Sequence, residues 1–287
     1  MKAVHKRTST IATLVFLGLF AAGCEDKGKA SEQGAIAEIG YLGPILKEDV
    51  AQVRRGLPVG ASKIAPMLDP DTLVSLQSTQ RAIVRMRSDV HDLEIAKSTF
   101  FSLTDATGTV LRSEADPDVL AGKSIVATFP ELKKALEPSS RLVEAFGEMK
   151  ELRGVRTGPD LAWVVAAPVV DKGQSKGMIV TGWSFRALAY HLETQLKMHI
   201  SQEADKKQKK TPPFGYVYVV KGNHAYGTPT TPEVNAKVVE ELDLPKKAAN
   251  GVYHEAREIT GRMFGIAGEK VPELGEDAAI AVVFSEI

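Results

Sequence analysis

Histidine is the residue type in this sequence best suited to metal binding or proton transfer, but its spacing favours neither role. His191 and His199 stand eight residues apart on one predicted helix, too far to share a metal ion unaided. His91, His224 and His254 each stand alone, and isolated histidines are most often ordinary surface or core residues. The chain also lacks a phosphate-binding glycine loop and a His-Glu-x-x-His motif. These patterns predict a protein that is not an enzyme and holds no metal or cofactor.

The two tryptophans, Trp163 and Trp183, are the aromatic residues best placed to line a small-molecule pocket. Each lies in a predicted strand, and the two strands are expected to be neighbours in one sheet. Arg141 or Arg153 could supply the charge that binds a carboxylate, and Tyr218 is the corresponding candidate in the second half of the chain. Aromatic residues of strands also fill cores. The sequence is compatible with both roles for the tryptophans, as the wall of a ligand pocket and as core residues.

The composition limits the class of protein. The chain has 287 residues, of which 44% are hydrophobic and 25% charged, with 36 basic and 36 acidic side chains. Such a chain is rich enough in apolar residues to fold as one large or two small globular domains. Nucleic-acid binding is not expected, because it needs clustered cationic residues rather than a balanced charge.

The N-terminus is typical of an export signal, in which cationic residues precede a short apolar stretch: Lys2, Lys6, Arg7 and then residues 11–22. The only cysteine, Cys24, follows Phe20-Ala21-Ala22-Gly23, and this segment resembles the lipobox of bacterial lipoproteins. The resemblance implies that residues 1–23 are removed as a signal peptide. It also implies that Cys24 receives acyl chains such as palmitate, which anchor the protein in a membrane of the cell envelope, facing the periplasm or the exterior. The alternative is a buried free thiol after an ordinary signal peptide.

Residues 24–68 are predicted to be a lipidated tether. Residues 25–34 are polar, contain glycine and show no apolar period, which favours flexible coil. A short helix is expected over residues 46–54 at most. Such a spacer would carry a lipid-anchored domain clear of the lipid headgroups.

The first long helix is predicted to begin at Asp69, with Pro70 as its first helical residue, and to run to about Lys97. Apolar residues recur there at steps of three, four or seven: Leu73, Leu76, Ile83, Met86, Val90 and Leu93. This apolar stripe would also suit a coiled-coil seam, so a homodimer through this helix is one option.

The rest of the chain is predicted to contain one arrangement of elements twice. Each half reads as two strands, a helix and three further strands, with a second amphipathic helix from Ser184 closing the first half. The charged, proline-closed segment 204–213 is the predicted boundary. The first lobe, including its long N-terminal helix, therefore covers residues 69–210, and the smaller second lobe covers residues 211–287.

Four segments carry a resemblance to Cache domains, the PAS-like extracytoplasmic sensor modules of bacterial chemoreceptors and sensor kinases: Phe101-Ser102-Leu103-Thr104-Asp105 through Gly108-Thr109-Val110-Leu111, Gly122-Lys123-Ser124, Ala166-Ala167-Pro168-Val169-Val170, and Gly177-Met178-Ile179-Val180. The resemblance implies an α+β fold of two PAS/Cache-like lobes. Each lobe would be a five-stranded antiparallel sheet with flanking helices, preceded by a long N-terminal helix. The aromatic and arginine signature of amino-acid-binding double Cache sensors has no counterpart in this sequence.

The predicted function follows from the lipobox and Cache resemblances together. We expect an extracytoplasmic, lipid-anchored protein that binds or senses a small solute. Because the sequence contains no kinase, methyl-accepting or cyclase module, its signal is expected to leave through a partner such as a receptor or a kinase. The alternative is an interaction or structural lipoprotein of the envelope that binds no ligand.

Overall fold

The fold is known from a computed structural model, which describes the backbone of residues 12–68, 75–96, 98–150 and 160–286. Side chains of these ranges are described from Lys27 onward. Two five-stranded antiparallel sheets follow one another along the chain, and a single long helix packs against both. The α+β fold predicted from the sequence, with two such lobes, flanking helices and a long N-terminal helix, is therefore confirmed.

The α-helices, numbered along the chain, are α1 Ala12–Ile64, α2 Leu76–Ser88, α3 His91–Ile95, α4 Ile125–Thr128, α5 Phe185–Lys206, α6 Glu233–Glu241 and α7 Leu244–Lys247. Short 3-10 helices cover Ala65–Met67, Pro130–Leu136 and Pro272–Leu274. The first sheet contains β1 Phe100–Thr104, β2 Val110–Ser113, β3 Val143–Glu148, β4 Leu161–Asp171 and β5 Gln174–Ser184. The second contains β6 Phe214–Lys221, β7 His224–Tyr226, β8 Tyr253–Ile259, β9 Arg262–Lys270 and β10 Ala278–Ser285.

Both sheets have the same strand order. The first is ordered β2-β1-β5-β4-β3 and the second β7-β6-β10-β9-β8, so the final strand of each lobe lies at the centre of its sheet. The shared strand order shows that the two lobes have the repeated architecture predicted from the sequence. Each sheet opens with a hairpin, continues through short helices and closes with three more strands.

The position of the long helix differs from the prediction. Residues 25 to about 65, predicted to be a flexible tether with at most a short helix over 46–54, are instead part of the single helix α1. A buried apolar stripe at steps of three and four residues explains the helix: Ala35, Ile39, Leu42, Leu46, Val50, Val53, Leu57, Ala61 and Ile64. Pro44 and Pro58 lie inside α1 without ending it, because the packing of the stripe outweighs their local cost.

The region predicted to hold the long helix contains two short ones instead. Residues 69–74 and 97, including the predicted start at Asp69 and Pro70, lie outside the described residues. Within the described part, Ser75 caps α2, and its hydroxyl accepts a hydrogen bond from the amide of Ser78 at 3.3 Å. The chain then turns at Asp89 before α3 begins. The prediction of one helix to Lys97 is therefore wrong.

Three apolar clusters surround the two sheets. The largest lies between the inner faces of both sheets and the helices α1 and α5, and it runs through both lobes. The other two lie on the outer faces, one on each sheet, under the short helices. Helix α1 is therefore the shared support of both lobes rather than a spacer outside them. Among the described residues, none of the helices combines the length and apolarity needed to cross a bilayer.

Candidate functional site

The tryptophan pair lies in the shared core. Trp163 and Trp183 face each other across β4 and β5, as predicted, with ring centroids 5.9 Å apart. Trp163 is 0% and Trp183 2% exposed, and both belong to the cluster beneath α1. Ala162 and Val164, which lie on the opposite face of β4, belong to the outer cluster instead. Both tryptophans therefore pack as core residues, and neither lines a described pocket.

A polar network around Trp163 joins α1 to both lobes. The indole nitrogen Nε1 donates to Glu144 Oε2 at 2.8 Å, and the same carboxylate accepts two hydrogen bonds from Arg54 at 2.7 and 2.8 Å. Arg54 Nη2 also donates to the carbonyl oxygen of Glu273 in the second lobe at 2.7 Å. Arg54 therefore bridges the first sheet and the second lobe from the helix that packs on both.

The other predicted site residues lie in different surroundings from the tryptophan pair or outside the described residues. Arg141 is exposed and lines a separate depression with Pro58 and Ser62 of α1. Arg153 lies outside the described residues. Tyr218 is fully buried in the outer cluster of the second sheet. The structure therefore does not bring Arg141 or Tyr218 together with the tryptophans.

A different site, the junction groove, is formed where the first lobe meets the second. Its volume is about 460 Å³. Its lining combines a charged residue from the start of α5, the loop after β7 and one face of α6: Arg186, Ala225, Gly227, Thr228, Pro229, Thr231, Glu233, Ala236, Lys237 and Glu240. Small-solute sites commonly have this size and a few convergent polar groups.

The first lobe reaches into the junction groove through Arg186. This arginine follows the cap of α5, and its backbone amide donates to Asp160 Oδ1 at 3.4 Å. Its Nη1 donates to the carbonyl oxygen of Gly227, across the junction, at 3.3 Å. Because both lobes contribute to one wall, a molecule in the groove would contact both at once.

The floor of the groove depends on a glycine. A Cβ atom at Gly227 would stand 2.5 Å from Thr231 Oγ1 and 2.7 Å from Tyr218 Cε1, so only glycine allows this approach. The Tyr218 side chain beneath it is fully buried. Burial raises the pKa of Tyr218, and a hydrogen bond with Thr231 opposes that rise only in part, so the hydroxyl stays protonated.

The groove carries charges of both signs. On α6, Lys237 Nζ lies 2.8 Å from Glu233 Oε1, and this pairing lowers the pKa of Glu233 and raises that of Lys237. Glu240 Oε1 accepts a hydrogen bond from the amide of Ala225 at 3.1 Å. Cationic and anionic groups in one groove can bind a small molecule that carries polar or charged groups of its own.

The junction groove was not predicted from the sequence. Part of its wall comes from Gly227, Thr228, Pro229 and Thr231, in a segment whose sequence is that of a plain connector between strand and helix. The density of hydroxyl side chains in this loop was the available signal. Arg186 offered no signal, because only the docking of the lobes places it beside this loop.

Two further features bear on chemistry. Ser175, between Gly173 and Gly177, has the spacing of a hydrolase nucleophile, but it follows the hairpin turn between β4 and β5 rather than a strand-to-helix elbow. In the described part of the chain, histidine, cysteine and acidic side chains form no cluster of three or more that could hold a metal ion.

The side chain of Cys24, the predicted lipidation site, and residues 1–11 lie outside what the structure describes.

Comparisons with known proteins place the fold. No protein-family model matches the chain, and no curated protein matches its sequence. The extracellular domain of vpHK1S-Z8, assigned as a histidine kinase, is 12% identical, with a TM-score of 0.55 over 91% of this chain and 93% of that one. A domain of a sensory box/GGDEF family protein from Vibrio parahaemolyticus is also 12% identical, with a TM-score of 0.54 over 91% of this chain and 97% of that one. The two-lobed fold of this chain is therefore the fold of these sensory domains, in agreement with the Cache/PAS-like resemblance of its sequence.

Proposed function

We propose that the protein is an extracytoplasmic sensor that binds a small solute in the junction groove and passes the signal to a receptor or kinase partner. The observation that carries this proposal is the groove itself, because its walls come from both lobes. A solute held between Arg186 and the loop after β7 would change how strongly the lobes hold each other. The fold shared with a histidine kinase's extracellular domain supports a sensory role.

Binding rather than catalysis is the role we propose for the groove. It offers a guanidinium, an ammonium, carboxylates and threonine hydroxyls, which orient and hold a solute. Glu233 pairs with Lys237 on the protein surface, and Glu240 accepts a hydrogen bond from a backbone amide. None of these groups has the pairing of a nucleophile with a base that covalent catalysis needs.

A thermal-shift screen tests solute binding. The full chain in detergent micelles is heated with separate panels of amino acids, organic acids, amines and purines. A solute that binds only the folded protein, at one hundred times its dissociation constant, stabilises it by about 2.7 kcal/mol, and we expect one panel to contain such a solute. We expect Lys237→Gln to weaken binding of that solute about tenfold, because one charge-assisted contact is lost.

Lys246→Gln is the matched control for this variant. Lys246 also belongs to the second lobe and pairs with a neighbouring carboxylate, that of Asp243, but it does not line the groove. The affinity of the Lys246→Gln protein for the solute should equal that of the wild type. If no panel raises the melting temperature, the alternative role as an interaction or structural envelope protein is favoured. If both lysine variants bind as the wild type does, the solute binds elsewhere.

We also propose that the chain is held at the membrane by acyl chains on Cys24, and the lipobox-like segment 20–24 supports this. More than one acyl chain is needed for stable attachment, and a bacterial lipoprotein carries several. We expect mass spectrometry of the protein purified from bacterial membranes to find a chain that begins at an acylated Cys24. Cys24→Ser should keep its leader and remain unmodified. An intact leader with a free thiol in the wild type would contradict the proposal.

A further inference from the structure

Three carboxylates of α1 each pair with a histidine from another element. Glu38 Oε2 lies 2.8 Å from His199 Nδ1, and Asp49 Oδ2 lies 3.0 Å from His191 Nε2. The third pair joins Glu32 Oε1 to the Nδ1 atom of the β8 residue His254 at 2.6 Å. We name these contacts the clamp pairs. Every one of them crosses from α1 to the body of the protein.

His199 is partly buried, with 26% of its side chain exposed. Its ring stacks on Tyr41 with a centroid distance of 3.9 Å and an interplanar angle of 10°. Its partner Glu38 is 6% exposed, and both border a cavity of about 150 Å³. The other charged groups bordering this cavity are Glu203 of α5, Lys207 and Lys209 after that helix, and Glu286 after β10. Three carboxylates and two lysines therefore border one cavity together with the imidazole.

The second pair lies further along the same helix–helix contact. Glu38 pairs with the later histidine of α5 and Asp49 with the earlier one, so α1 and α5 run antiparallel. The side chains of His191 and Asp49 are 19% and 13% exposed, so water screens this pair only in part. The third pair is more open, with His254 48% exposed. The first two pairs are therefore better shielded from water than the third.

We propose that the clamp pairs make the docking of α1 on the two lobes dependent on pH, so that acidification tightens the helix and neutral or alkaline conditions loosen it. Histidine changes charge between about pH 5 and 8 when its environment is ordinary, which covers the pH range of many extracellular settings. Because α1 packs on both sheets, a change in its docking reaches both lobes. This inference is independent of any solute in the junction groove.

The sign follows from proton linkage. Burial raises the pKa of Glu38, and the hydrogen bond from His199 opposes that rise only in part. When docking raises the pKa of a carboxyl, the docked state is not destabilised at a pH below the ordinary pKa, where the group is protonated in both states. As the pH rises towards and through the raised pKa, the carboxyl loses its proton and the docked state becomes less stable. A proton on His199 or His191 instead creates a charge-assisted contact with α1. Protonation at either partner therefore favours docking.

Hydrogen exchange of the full chain in detergent micelles tests the proposal. Backbone amides of residues 35–50 are followed by mass spectrometry at about pH 6 and pH 8 and expressed as protection factors, which corrects for the intrinsic pH dependence of exchange. We expect wild-type protection to rise about tenfold on acidification, which over two pH units corresponds to about half a proton more bound in the docked state. In the double variant His191→Gln/His199→Gln, the rise should fall below about threefold.

Two further variants make the result decisive. Glu38→Gln/Asp49→Asn removes the same pairs from the α1 side and should lose the rise equally, so a folding defect in one double variant does not end the test. His91→Gln is the control, because His91 is 81% exposed and faces Glu94 rather than α1. It should keep the wild-type rise. Equal wild-type protection at both pH values, or an unchanged rise in both double variants, would overturn the proposal.

Discussion

Gly265→Ala is expected to destabilise the protein by about 3 kcal/mol, because it separates α1 from the second sheet. A Cβ atom at this position of β9 would stand 2.1 Å from the carbonyl oxygen of Ser31 and 2.4 Å from the Cα atom of Glu32. These are backbone atoms of a helix, so no side-chain rotation relieves the overlap. Either α1 or the strand must shift, and the buried stripe of α1 loses contacts when it does.

Urea denaturation of the full chain in detergent micelles measures this effect, and Gly40→Ala is the matched comparison. Gly40 lies on the exposed side of α1, and a Cβ atom there meets nothing within 4 Å. Alanine should therefore raise the free energy of unfolding by about 0.5–1 kcal/mol, through helix propensity alone. If Gly265→Ala also leaves stability unchanged or raises it, the close approach of α1 to β9 is incorrect.

Trp163→Ala is the second substitution with a large expected effect, about 3–5 kcal/mol of lost stability. Trp163 is fully buried against Trp183 beneath α1, so truncation leaves a cavity in the cluster shared by both lobes. It also removes the Nε1 donor from Glu144, which Arg54 still holds. Trp163→Phe keeps most of the apolar volume and should cost less.

The tryptophan variants also separate a core role from a ligand role. If Trp163 is a core residue, Trp163→Phe should bind any solute found by the thermal screen with wild-type affinity, whereas Lys237→Gln should not. Calorimetric titration of that solute into each variant measures the difference. A Trp163→Phe protein of nearly normal stability that no longer binds the solute would restore the ligand interpretation of the tryptophan pair.

Local patterns were enough to predict both sheets. The alternation of side chains along residues 161–170 places Trp163 and Val165 on one face and Ala162 and Val164 on the other, and the two clusters agree. The predicted order of two strands, a helical region and three strands is also the order found in each lobe. Strand periodicity is a property of neighbouring residues, so it can be recognised without knowing what each face packs against.

The long helix shows where local pattern failed. The polar segment 25–34 and the two prolines of α1 favour coil by themselves, and the helix over residues 69–97 was favoured by its aspartate and proline start. Tertiary packing reversed both expectations. The stripe from Ala35 to Ile64 is stable as a helix because two sheets bury it, and a helix without such packing is marginal in water.

The sequence by itself therefore determined the fold class, the repeated lobe and the residues of each strand face, since these depend on periodicity. Only the tertiary structure decided which charged residues meet. Arg186 reaches Gly227 across 41 residues, and His199 reaches Glu38 across 161. Contacts between distant segments depend on how the lobes and α1 dock, and that docking is set by the summed burial of many apolar side chains rather than by any local motif.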